Sequence, residues 1–228
     1  MKKGKFIVID GTDASGKATQ SGLLKKRLRK EDVSFRTLDF PRYYETAWGD
    51  FIGRYQMGEF GDPQEINPYF SFLPYMLDQL MAKRDIARWV SEGKIVLANR
   101  YFTSNFVHQA SKLPPRRRKK FREFLKRAGY KELGLYQPDL VLVLHVPYKI
   151  AMKLNLKKGE RRYTKGRKRD LVERDITYQK ESGKEFVKVC KEENNWLLIK
   201  CCNQKGKLKT PEQIHEVIYK TLHQRKII

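Results

Sequence analysis

An α/β fold, with a parallel sheet wound by helices on both faces, is predicted by three features of this sequence. Five apolar, strand-like runs recur along the chain. Helix-like stretches separate them. A glycine-containing loop joins the first run to the first helix. Runs nearly continuous in apolar residues belong to strands buried on both faces. Strands alternating with helices imply parallel pairing, and ligands of such sheets gather at the carboxyl ends of the strands.

The strand-like runs are KFIVIDG (5–11), SFRTLDF (34–40), KIVLANR (94–100), LVLVLHV (140–146) and WLLIKCC (196–202). The first helix is expected over 19–30. A longer stretch, 65–92, contains Pro68 and Pro74, which break it into pieces. Further helices are expected over 115–128 and 171–193. Thr210-Pro211-Glu212 reads as the cap, first-turn proline and acidic first turn of the last one.

A chain of 228 residues suits one sizeable domain, here taken as 1–228. The formal net charge is +23, with 33% charged residues. Such a balance attracts anions: nucleotides, nucleic acid or a membrane surface. Aromatic content of 12% argues against a disordered basic tail. Cys190, Cys201 and Cys202 lack metal-ligand spacing and imply no disulfide framework, so a cytoplasmic, reducing location is expected. The run FIVI behind the basic N-terminus is too short for a signal peptide. No apolar stretch approaches the roughly 20 residues of a membrane span.

The chemistry concentrates after the strands. GTDASGKAT (11–19) fits G-x-x-x-x-G-K at Gly11, Gly16 and Lys17. The glycines permit a tight turn that aims N–H groups at phosphate oxygens, and the following helix adds its positive end. The next position normally carries a hydroxyl for Mg²⁺; here it is Ala18. Asp13 is a carboxylate in a phosphate-binding loop, which calls for a role such as accepting a hydrogen bond from a substrate or from water on Mg²⁺. After the second strand, DFPRYYE offers Phe40 to wall a base pocket and Arg42 to clamp a phosphate. After the third, LANRYFTSNFVH places Arg100 on the rim that Lys17 occupies, followed by Ser104, Asn105 and His108. The basic stretch 156–170, with Gly159 and Gly166, reads as a lid bringing cations over a transferring phosphate. A second basic run, RRRKK (116–120), reads as a solvated helix face or a nucleic-acid patch.

In order and spacing these motifs resemble the thymidylate kinase family: GTDASGKATQ, DFPRY, YFSFLPYMLDQ, NRYFTSN, PDLVLVLHVP, then the basic lid and ERD. The resemblance implies a three-layer fold of the P-loop NTPase type, with five parallel strands, and transfer of the γ-phosphoryl of ATP to dTMP. It also implies Mg²⁺ and a homodimer. ATP would contact Gly11, Thr12, Asp13, Ala14, Ser15, Gly16, Lys17, Ala18 and Thr19. The substrate would contact Phe40, Arg42, Tyr43, Tyr75, Gln79, Arg100, Ser104, Asn105 and His108. Tyr75 would stack on the thymine, and His108 stands where some members place an aromatic near the sugar. Asp13, Lys17 and Arg100 would be catalytic. With Ala14 rather than arginine in the loop, the transition-state cations would come from the lid, with Arg161, Arg162 and Arg167 as candidates. Asp13 and Glu173 would organise Mg²⁺ through water.

Three positions depart from the family pattern. Ala18 replaces the hydroxyl, Asn99 replaces the acid of D-R-Y, and Gln79 replaces an arginine that reads the thymine edge. Gln79 favours one alternative, another deoxynucleotide acceptor such as dUMP. The charge of +23 with Ala18 and Asn99 favours another, a catalytically weak relative that binds nucleic acid.

Overall fold

The structure, a computed structural model, describes residues 3–156 and 175–228. The strands are β1 (Lys5–Gly11), β2 (Phe35–Asp39), β3 (Ile95–Asn99), β4 (Leu140–His145) and β5 (Trp196–Lys200), close to the sequence expectation. They form one parallel sheet in the order β2-β3-β1-β4-β5. β1 is central, so its side chains are enclosed from both faces. Alternate residues divide between two cores, because successive side chains of a strand point to opposite faces. Phe6, Val8, Val96, Ala98, Val141 and Val143 enter one core. Ile7, Ile9, Leu97, Leu140, Leu142 and Leu144 enter the other.

The helices are α1 (Lys17–Lys30), α2 (Ala47–Gln56), α3 (Pro68–Ser71), α4 (Leu73–Met81), α5 (Lys83–Ser91), α6 (Asn105–His108), α7 (Pro115–Lys126), α8 (Tyr148–Leu156), α9 (Ile176–Glu192) and α10 (Pro211–Gln224). The stretch 65–92 divides as its prolines require: Pro68 and Pro74 both lie in first turns, where a missing N–H costs nothing. Thr210 and Gln213 form a reciprocal capping box at the start of α10. The helix expected over 171–193 is described from Ile176, where Asp175 caps it by accepting from Tyr178 N. Sequence periodicity missed α2 and α8. α2 fits where it does because Gly49 lets it approach the chain before it; a Cβ there would lie 1.8 Å from Arg42 O.

The run RRRKK needs correction as a solvated face. Arg118 is buried, and its Nη1 lies 3.1 Å from Glu185 on α9; Arg122, also buried, contacts the same carboxylate. Glu181 and Glu192 complete this clasp between α7 and α9. Arg116, Arg117, Lys119 and Lys120 do face solvent. Because Arg118 and Arg122 converge on Glu185 out of water, removing its charge leaves two buried cations with only the more exposed Glu181 and Glu192 as carboxylate partners. Glu185→Gln should destabilise the protein by about 3 kcal/mol or more, whereas Glu59→Gln, in the exposed Arg54–Glu59 pair, should cost under ~1 kcal/mol. Equilibrium urea unfolding of both variants checks this; equal losses would contradict the clasp.

Candidate active site

Three loops meet at the carboxyl end of the sheet. The first, 11–16, leaves β1 through Gly11 at φ 137°, where a Cβ would lie 2.5 Å from Leu144 O. Ala14 (φ 59°) and Gly16 (φ 92°) are also left-handed, so the loop curls back on itself. α1 then starts with neither a side-chain cap nor an acidic residue in its first turn, which leaves its positive end for an anion. Lys17 is folded onto the loop, its Nζ donating to Gly11 O (3.0 Å) and Thr12 O (2.7 Å). The hydroxyls of Thr12 and Ser15 are buried without a hydrogen-bond partner among the described residues.

The second loop follows β2. Asp78 of α4, fully buried, organises it by accepting from Arg42 N (3.0 Å), Arg42 Nε (3.1 Å) and Thr46 Oγ1 (2.8 Å). Thr46 in turn caps α2. Gln56 links the hydroxyls of Tyr43 (2.9 Å) and Tyr75 (3.1 Å).

The third loop follows β3, and its first residue, Arg100, is left-handed at φ 60°. Such backbone costs on the order of 1–3 kcal/mol. It turns the side chain to the sheet's edge, where Nη2 lies 2.6 Å from Asp13 Oδ1 and Nη1 lies 3.6 Å from Asp10 Oδ1. Burial raises the Asp10 carboxyl above the usual carboxylate range, although Arg100 and the Ser104 hydroxyl pull it down. Asp10 accepts from Gly11 N and Ser104 Oγ, both at 2.8 Å. Gln179 of α9 donates to the other Asp13 oxygen at 2.9 Å.

Two hollows share this edge. One is lined by Phe40, Tyr43, Tyr75, Gln79, Arg100, Ser104, Asn105 and His108, eight residues singled out from the sequence. The other runs along residues 13–20 and past Asn99 to Leu208, Lys209 and Pro211. Asp13, Phe40, Pro41, Tyr43 and Arg100 line both, so the hollows meet there. Arg42 lines neither and is held by Asp78. Arg161, Arg162, Arg167 and Glu173, and the expected lid from 157 onward, lie outside the described residues. Sequence reasoning missed Asp10, Tyr55, Gln64, Asp78, Lys112, Tyr178 and Gln179. Lys112, for example, donates to Tyr55 Oη at 3.0 Å, and burial lowers its ammonium to about 8. A lone lysine 57 positions from its partner gives no local signal.

A phosphate-loop groove joined to a base-sized hollow is the arrangement of a phosphotransferase, and the family model for thymidylate kinase matches residues 9–211. The chain belongs to the thymidylate kinase family. The thymidylate kinase of Mycobacterium tuberculosis (strain H37Rv) is 28% identical over 205 residues, covering 89% of this chain and 94% of that one. That of Plasmodium falciparum is 31% identical over 147 residues, or 64% of this chain and 63% of the other. A solved thymidylate kinase structure from Candida albicans, 18% identical, superposes with a TM-score of 0.76 over 99% of this chain and 93% of that chain; it supports the fold. As a member of this family the chain is an enzyme, and nothing in these matches favours the nucleic-acid-binding alternative.

His108 yields a pH prediction. Burial first, and Arg100 second, lower its imidazole to about 3. The unfolded chain binds that proton below roughly 6.5, and the fold excludes it. Stability is therefore full above pH 6.5 and falls as pH drops toward 3, by up to about 1.4 kcal/mol per unit. Urea midpoints at pH 7 and 5 should differ less in His108→Gln than in the parent. An identical difference would show that His108 does not titrate this way.

Proposed function

We propose a division of labour for the transfer of the ATP γ-phosphoryl to dTMP that family membership gives this chain. The groove along residues 11–19 takes the ATP phosphates. Loop N–H groups, the start of α1 and Lys17 supply positive charge to them. The hollow walled by Phe40, Tyr43 and Tyr75 takes dTMP. Its phosphate lies toward Arg100, where the two hollows meet, and Arg42 donates from its place on Asp78. A guanidinium has five N–H donors, and Asp78 uses two of Arg42's. An acceptor phosphate oxygen then faces the γ-phosphorus, and no covalent intermediate or strong base is required. The lid arginines, from the sequence, add transition-state charge. The whole chain 1–228 is read as one such unit, a cytoplasmic homodimer. Three free thiols suit a reducing compartment, and exposed Phe70, Leu73 and Met81 offer apolar surface for a partner copy. No helix among the described residues is long and apolar enough to cross a membrane.

One observation carries the choice of base. Gln79 and Asn105 are each 3% exposed, and Gln79 Oε1 and Asn105 Nδ2 have no hydrogen-bond partner among the described residues. Both residues line the acceptor hollow. One free acceptor and one free donor match a pyrimidine edge that pairs an N–H with a carbonyl, as thymine and uracil do. Unsatisfied buried polar atoms are costly, so the edge that satisfies both is favoured.

The residues fit Mg²⁺ held chiefly by phosphate and water. Among the described residues no three His, Cys, Asp or Glu side chains form a metal cluster. Asp13 and the buried oxygens Ser15 Oγ and Asn99 Oδ1, unpartnered among the described residues, would hold its waters. When bound, the ion would supply charge neutralisation for the transfer. Ala18 is exposed to the groove, leaving room for a water where a hydroxyl would stand.

Two outcomes are expected. Coupled assays over a panel of nucleoside monophosphates should rank dTMP first and dUMP next, with Gln79→Leu losing about 10- to 100-fold in kcat/KM for dTMP. A purine monophosphate turned over faster than dTMP would refute this pocket. Ala18→Ser should lower the Mg²⁺ concentration that gives half-maximal rate; an unmoved Mg²⁺ titration would show that the metal is held otherwise.

A further inference from the structure

We infer that His108 is a positioning residue of the phosphoryl transfer: its neutral imidazole fixes the plane of the Arg100 guanidinium, and Tyr178 fixes the imidazole. The inference rests on Arg100 serving the acceptor phosphate. Arg100 Nη1 lies 2.8 Å from His108 Nε2. A guanidinium only donates, so Nε2 accepts and the ring proton is on Nδ1. Nδ1 lies 2.8 Å from Tyr178 Oη, which accepts that proton; its own hydroxyl donates to His108 O at 3.3 Å. Turning the ring over would set C–H groups against the guanidinium and the tyrosine hydroxyl and lose both contacts, so the orientation is fixed. Phe186 packs edge-on against the imidazole at 5.5 Å.

The chain positions make the arrangement specific. Adjacent residues at the start of α9 hold the two anchors of Arg100. Tyr178 holds His108, and Gln179 holds Asp13. Arg100 is thereby gripped at both terminal nitrogens by groups on different elements, α6 and the phosphate loop. Two of its five N–H donors are used by the described residues, which leave three for phosphate. Without the His108 contact the guanidinium can swing about its bond to Asp13. Misplacement by about 1 Å costs up to roughly 10²-fold in rate.

The test compares the parent with His108→Phe, His108→Gln, Arg100→Lys and the double variant His108→Phe/Arg100→Lys. Steady-state kinetics are measured with dTMP and with ATP varied, and melting temperatures alongside. His108→Phe keeps the packing but accepts nothing. It should lower kcat/KM for dTMP about tenfold and leave KM for ATP unchanged. His108→Gln, which can accept, should recover most of that loss. In the Arg100→Lys background, His108→Phe should cost less than about twofold, because the group it positions is gone. The same tenfold loss in both backgrounds would overturn the inference, as would His108→Gln performing no better than His108→Phe at equal melting temperature. Arg100→Lys with unchanged dTMP kinetics would instead overturn the reading of Arg100 on which the inference stands. If His108→Phe does not fold, Tyr178→Phe, which removes only the hydroxyl, must show a loss for dTMP that vanishes in the Arg100→Lys background.

Discussion

The guanidinium of Arg100 stands 2.6 Å from Asp13 and 3.6 Å from Asp10, and the site depends on that placement. Without it, two carboxylates would face each other where the two hollows meet. The placement begins in the sheet. β1 and β3 are neighbours, with Ile9 opposite Asn99, so the residue after β3 emerges beside the start of the phosphate loop. Arg100 N bonds to Ile9 O, and the left-handed backbone at Arg100 turns the chain there. The ion pair is largely removed from water, with the Arg100 and Asp13 side chains 19% and 16% exposed. It is therefore screened less than a surface pair, and its cation is the natural partner for an incoming anion.

The remaining scaffold holds this cation still. α9 contributes Gln179 to Asp13 and Tyr178 to His108, and the Arg118–Glu185–Arg122 clasp holds α9 on α7. Asp78 plays the corresponding part for Arg42. The excess of basic residues thus divides into kinds. Some cations are structural and buried, some line the hollows at the sheet's carboxyl end, and others, such as Arg116 and Lys119, are solvated.

The fold was legible because its strands are buried on both faces. Apolar runs such as FIVI and LVLVL have few other homes, and the prolines at 68, 74 and 211 mark helix starts by their missing N–H. The phosphate loop was legible because its glycines must occupy positive φ, and the structure has Gly11 and Gly16 there. The groups that support the site were not. Asp10 looks like the end of a strand, Asp78 like a polar residue in a helix, and Glu185 like one charge among many. Their side-chain partners lie 32 to 94 positions away in the chain, and no local pattern encodes such a pairing. Arg118 shows the reverse failure: a charge run was read as a uniform face although helical geometry turns one member inward.

The central claim is that Arg100 receives the acceptor phosphate. The most direct measurement is calorimetric binding of dTMP and of thymidine to the parent and to Arg100→Met. The parent should bind dTMP on the order of 10²-fold more tightly than thymidine, as two or more charge-assisted hydrogen bonds would give. Most of that preference should disappear in Arg100→Met while thymidine affinity stays the same. An undiminished preference for dTMP in Arg100→Met would contradict the claim.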